Sequence, residues 1–91
     1  MFSRLAPQKV CHSSGYLVQV ASKQGVELID RDGGIVHVNA EFGSVSTIYA
    51  DSVRKRCADG RAVTLTEEET RLLLAQIKAG LEAMGGVYEI V

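Results

Sequence analysis

Proline occurs once in the chain and cysteine only twice, and neither sign of charge dominates. Ten lysines and arginines face eleven aspartates and glutamates, for a net charge of −1. Each shortage excludes something. With so little proline, no low-complexity tract and 46% hydrophobic residues, the chain is too apolar to stay disordered and has no linker to divide it. Its 91 residues make a single domain, which buries a little over ~60% of its unfolded surface. A balanced charge means that long-range attraction to nucleic acid or to a membrane is not built into the whole chain. No apolar run approaches the ~20 residues needed to span a bilayer. The opening Met1-Phe2-Ser3-Arg4-Leu5-Ala6-Pro7 lacks the apolar core of a signal peptide. The expectation is a soluble cytoplasmic protein with no membrane partner, in which Cys11 and Cys57 are reduced thiols.

What is present is clearest at Thr66-Glu67-Glu68-Glu69 and the Thr70-Arg71-Leu72-Leu73-Leu74 that follows. A helix start leaves backbone N–H groups without intrahelical partners. Threonine with glutamate three residues on forms a capping box, each side chain accepting from the other's backbone. Glu67, Glu68 and Glu69 also lie at the positive end of the helix dipole. Advancing 100° per residue, Thr70, Leu73, Leu74, Ile77, Leu81 and Met84 fall on one stripe. Glu67–Arg71 and Lys78–Glu82 are spaced to pair on the opposite side, and Gly85-Gly86 supplies a stop. The pattern predicts a helix from about Glu67 to Met84.

Upstream, strand formers alternate with turn signals. Strands are expected at Gly15–Ala21, Val26–Ile29, Ile35–Asn39 and Ser44–Ala50. Asp30-Arg31-Asp32-Gly33-Gly34 is the strongest turn, because aspartate and glycine accept hairpin geometry. Short loops favour antiparallel neighbours, since a parallel crossover needs a dozen or more residues. Asp51 to Gly60 reads in two ways. It is either a short helix with Val53 and Cys57 facing inward, or a strand through Val53-Arg54-Lys55-Arg56-Cys57 with a hairpin turn at Asp59-Gly60. The short helix is the preferred reading. Ala62–Leu65 and Val87–Val91 complete the strands, and residues 1–14 read as a flexible N-terminal segment. The fold class is α+β: an antiparallel meander of about four to six strands, with one long C-terminal amphipathic helix packed on one face.

Little in the sequence points to catalysis. Cys11, His12, His37 and Cys57 are the only candidates for a metal or a thiol nucleophile. Zinc ligands come in pairs two to four residues apart, whereas Cys11 and His12 are adjacent and point to opposite faces of an extended segment. Glu67, Glu68 and Glu69 splay around a helix start instead of facing each other across a cleft. No glycine-rich loop leads from strand to helix with a phosphate-cradling pattern. No catalytic residue, cofactor or metal is expected.

Two features suggest binding. Val87–Val91 carries one charge, Glu89, and an open edge strand invites another strand to pair. Beside the main helix stripe lie Leu72, Ala79 and Ala83, with Gly80, whose cost of roughly 1 kcal/mol against alanine calls for a close neighbour. Leu72, Ala79, Gly80, Ala83, Val87, Tyr88 and Ile90 are therefore the candidate interaction residues, with a homo-oligomer or a protein partner as occupant. The alternative is the basic cluster Arg54, Lys55, Arg56 and Arg61, which could contact phosphate with Tyr49 available to stack on a base.

The stretch Ala58-Asp59-Gly60-Arg61-Ala62-Val63-Thr64-Leu65-Thr66-Glu67-Glu68-Glu69 resembles a turn, strand and capped helix found in short uncharacterised bacterial proteins. The resemblance covers about a third of the chain. It implies a small stand-alone bacterial protein and transfers no activity or site residue. The functional expectation is a non-enzymatic binding or interaction module.

Overall fold

A computed structural model describes residues 1–91. Nine strands and one helix follow in the order β1 (Phe2–Ala6), β2 (Lys9–His12), β3 (Leu17–Ser22), β4 (Gly25–Ile29), β5 (Ile35–Glu41), β6 (Ser46–Ile48), β7 (Arg54–Arg56), β8 (Ala62–Val63), α1 (Glu67–Ala83) and β9 (Tyr88–Ile90). A single 3-10 turn, Ala50–Ser52, joins β6 to β7. One helix packed on a β-sheet is thus an α+β fold, as expected. The sheet itself is larger than the four to six strands read from sequence, and it curls into a half-barrel around the helix.

The first five strands are sequential antiparallel neighbours. Alternation puts one side chain of every two on the concave face. There the rows Val10–Val18–Leu28–Val36 and Val20–Val26–Val38 run across the strands, and all but the half-buried Val20 are buried. Helix α1 lies over these rows. Leu74, Ile77 and Leu81 are buried against them, each contributing roughly 1.5–3 kcal/mol. Leu73 and Met84 flank the contact. The capping box forms both of its bonds: Glu69 N–H donates to Thr66 Oγ1 at 3.1 Å, and Thr66 N–H donates to Glu69 Oε1 at 3.0 Å. The chain leaves the helix through Gly85, whose φ of +95° is left-handed. Neither Glu67–Arg71 nor Lys78–Glu82 closes; the ion pairs present are Lys55–Asp30 at 3.5 Å and Arg61–Asp59 at 2.7 Å. Exposed pairs along a helix gain too little to hold two long side chains in place.

Three further departures from the sequence reading have identifiable causes. Residues 1–14 contain two strands, joined at Pro7-Gln8. Their ties are distant: the Arg4 guanidinium donates to the carbonyl of Met84, and the Phe2 ring packs edge-on against His12 and Tyr16 at 4.8 and 5.9 Å. The segment after residue 50 is one helical turn and then a strand, so the preferred short helix gives way largely to its alternative. Arg54–Arg56 pairs with Ile35–His37 of β5, and Asp59-Gly60 turns the chain into β8. Strand β7 does not continue β6, because β5 forks. Its first half pairs with β7 and its last two residues pair with β6. Ser52 sits in the fork: its hydroxyl accepts from Asn39 N–H at 2.8 Å and donates to the Tyr49 carbonyl at 2.6 Å. Finally, β9 pairs with β6 in parallel, so the sheet is mixed. Between them run β7, β8 and α1, which supply the long crossover that a parallel pair requires.

Candidate functional site

Strand β9 ends the sheet. Ser46 N–H donates to the Val87 carbonyl, Val91 N–H to the Ile48 carbonyl, and Ala50 N–H to the Val91 carbonyl. In a parallel ladder the odd residues of β9 therefore spend their backbone groups on β6, and those of Tyr88 and Ile90 point to the outer edge. Three strand edges are free in this fold, and they differ. β1 is irregular between Arg4 and Ala6 and is followed by Pro7. β8 is two residues long. Both devices discourage pairing. β9 is also short, at three residues, but it is regular and carries no proline, and its one charged residue is Glu89.

The surroundings of β9 are apolar. Val87, Ile90 and Val91 are 61%, 39% and 67% exposed, and Phe42 and Val45 are exposed beside them. The register that sets Ser46 against Tyr88 places Val45 next to Val87 on the convex face. On the concave face, a cleft of about 350 Å³ opens at the start of β9, walled by Pro7, Val20, Phe42, Met84, Gly85 and Tyr88. Burial raises the Tyr88 phenol above its ordinary pKa, so it stays neutral throughout the physiological range. Phe42 and Val45 were not among the expected interaction residues. Their signal was two large apolar side chains in a turn that needs none.

The expected interaction residues divide into three groups. Val87, Tyr88 and Ile90 lie on β9. Leu72, Ala79 and Ala83 are exposed on the side of α1 turned away from the sheet. Gly80 faces inward and is buried; a Cβ there would lie 2.6 Å from Val18 Cγ2. The close neighbour that Gly80 accommodates is thus a side chain of its own sheet.

The basic cluster lines a different groove, of about 560 Å³, between β7, β8 and the start of α1. Arg54, Lys55 and Arg56 border it over an apolar floor that includes Val53, Val63 and Leu65; Arg61 does not line it. Lys55 is paired with Asp30 and Arg61 with Asp59. Arg54 donates to the carbonyls of Asp51 and Val53, and Arg56 to that of Gly60. Carbonyls leave those two charges uncompensated. Tyr49 is tied elsewhere: its hydrogen bond to Glu41 foremost, then burial and the Glu41 charge, raise its pKa.

The cysteines and histidines are dispersed. Cys11 Sγ donates to the His12 carbonyl at 3.6 Å, and His12 Nδ1 accepts from Ser14 N–H at 3.0 Å. The His12 ring stacks on Tyr16 with centroids 4.7 Å apart. His37 lies over Gly25 on the far side of the sheet's centre, and Cys57 follows β7. Both cysteines are free thiols, and no three acidic, histidine or cysteine side chains converge on a point. No helix is long and apolar enough to cross a membrane.

No protein-family model, curated protein or solved structure matches this chain.

Proposed function

We propose that this protein is a non-enzymatic binding module that self-associates by adding strands at the outer edge of β9. The observation that carries the reading is the open edge: Tyr88 and Ile90 present unspent backbone groups, flanked by exposed Val87, Val91, Val45 and Phe42. Such an edge selects an extended strand, because only a strand satisfies both N–H and C=O groups in alternation. A second copy always offers a strand of the same length and parity, and a two-fold axis closes the pair.

The test uses the direction of the Ile90 N–H. It points away from β6, so Ile90→Pro removes an intermolecular donor without touching the parallel ladder. Sedimentation across a concentration series should show a dimer for the unmodified chain and a monomer for Ile90→Pro, with the same far-UV circular dichroism. A monomer for both would sink the reading.

One observation favours a second reading, a nucleic-acid-associated regulator. The largest groove is bordered by Arg54 and Arg56, whose charges no carboxylate neutralises. Binding to unrelated DNA or RNA that weakens with salt and disappears in Arg54→Gln/Arg56→Gln would support it. Absence of binding at low salt would remove it.

A further inference from the structure

We infer that two copies pair their β9 strands antiparallel in the register centred on Glu89, so that Glu89 acts as a charge gate on association. This rests on the edge-pairing reading above and specifies its geometry and regulation.

Three registers are compatible with the parity of the edge, because only Tyr88 and Ile90 turn their backbone groups outward within β9. Centring the axis on Tyr88 sets Ile90 of one copy against Gly86 of the other. Gly86 has φ +110° and is not extended, so that pair cannot form. Centring on Ile90 leaves Tyr88 with no residue of β9 opposite it. Centring on Glu89 sets Tyr88 of each copy against Ile90 of the other, and both outward-facing residues then exchange N–H and C=O bonds. It is the register that leaves no edge group of β9 unspent.

The same register fills the side-chain surface. Tyr88 and Ile90 share the concave face with Ser46 and Ile48, their partners on β6. Ile90 of one copy thereby comes to rest beside Tyr88 of the other, at the mouth of the cleft bounded by Phe42 and Met84. On the convex face, Val87 of one copy meets Val91 of the other, two of the most exposed apolar residues in the chain.

The cost falls at the centre. The two Glu89 side chains face each other across the axis as a non-hydrogen-bonded pair, the closer kind of cross-strand neighbour. No cation offsets them. Thr47 is the neighbour of Glu89 on β6 and is uncharged, the residue beyond it on β5 is Glu41, and the Tyr49 phenol lies close to Glu41. The charges of α1 lie across the sheet, on its concave side. Association is therefore opposed by the facing Glu89 side chains and eased when one of them is replaced by a neutral or basic residue.

Sedimentation equilibrium on the full chain tests this. Glu89→Gln should tighten the dimer about threefold to tenfold at pH 7, and added salt should narrow the difference from the unmodified chain. Glu89→Lys alone should dimerise no better than the unmodified chain. An equimolar mixture of the two should form mixed dimers in preference to either homodimer, because lysine then faces glutamate. Dimers that form without that preference, or a Glu89→Gln variant with unchanged affinity, would overturn the register while leaving edge pairing standing. A monomer under all conditions would overturn edge pairing itself.

Discussion

Gly80 of the helix and Val18 of the third strand are packed so closely that no side chain fits between them. A methyl group at Gly80 would lie 2.6 Å from Val18 Cγ2, 2.7 Å from its Cβ and 3.0 Å from its Cγ1. Val18 is fully buried in the middle of the sheet and cannot swing aside. Gly80→Ala gains roughly 1 kcal/mol of helix propensity but forces overpacking that costs about 1–3 kcal/mol. The net effect should be destabilising. Adding Val18→Ala should recover part of the loss, because the alanine methyl then occupies the space that the valine leaves. Urea denaturation of the two single variants and the double variant measures the coupling. A Gly80→Ala protein more stable than its parent would show that the helix can shift away from the sheet.

Arg4 and Met84 illustrate a second long-range tie. The last carbonyls of a helix lack intrahelical partners and carry the negative end of its dipole. No lysine or arginine occupies the last turn of α1. Arg4, on β1, reaches across to supply the missing cation. Arg4→Gln should lower stability by less than about 1 kcal/mol, since the site is exposed, and added salt should shrink the difference. The local signature is faster amide exchange at Met84 and Gly85, whose N–H groups bond to the carbonyls of Gly80 and Glu82. Unchanged exchange there would mean that the contact adds nothing to the helix end.

These two ties also show which parts of the fold are legible in sequence. The helix is written locally: a capping box within four residues, a stripe at helical spacing and a glycine stop. The hairpins at Asp30–Gly34 and Asp59-Gly60 are likewise local, with Asp30 Oδ1 accepting from the N–H groups of Asp32 and Gly34 at 3.0 and 2.8 Å. Strands β1 and β2 are not. Phe2-Ser3-Arg4-Leu5-Ala6 alternates weakly, and its anchors lie at Met84, His12 and Tyr16. At Arg54–Arg56 the strand is held by its ladders to β5 and β8, with Ser52 binding Asn39 at the fork, and the pairing with β5 has no local trace. In the candidate site, the composition of β9 suggested an open edge without deciding it against an interior strand, and the strand order supplies the edge. Its direction and its apolar neighbours Phe42 and Val45 depended on the β6 pairing.

Ser52 and Asn39 give a prediction about the fork itself. Ser52→Ala leaves the Asn39 N–H without its acceptor and the Tyr49 carbonyl without its donor. Water can reach part of this site, so the loss should be about 1 kcal/mol and not a full desolvation penalty. The effect should be confined to where β6 and β7 separate. Nuclear magnetic resonance should find faster exchange at Asn39 and changed shifts from Tyr49 to Arg54, with α1 undisturbed. A change spread over the helix would mean that Ser52 sets the packing of the whole sheet.

Thr66 and Glu69 link the helix start to pH. The Thr66 backbone N–H, and after it the Thr66 hydroxyl, hold the Glu69 carboxyl below the usual carboxylate range; partial burial opposes this and the Lys55 charge assists it. A carboxylate whose folded pKa is depressed adds stability that is fully present above its unfolded pKa, about 4.3. That contribution is lost as pH falls through the lower, folded value. Unfolding free energy measured by urea should therefore decline from pH 5 to pH 3, and part of the decline should vanish in Glu69→Gln. The glutamine carbonyl still accepts from Thr66 N–H, so the box survives without its titration. Thr66→Ala removes the other half and should cost about 1 kcal/mol at every pH. Should Glu69→Gln retain the full acid sensitivity of its parent, the cap would be excluded as its source.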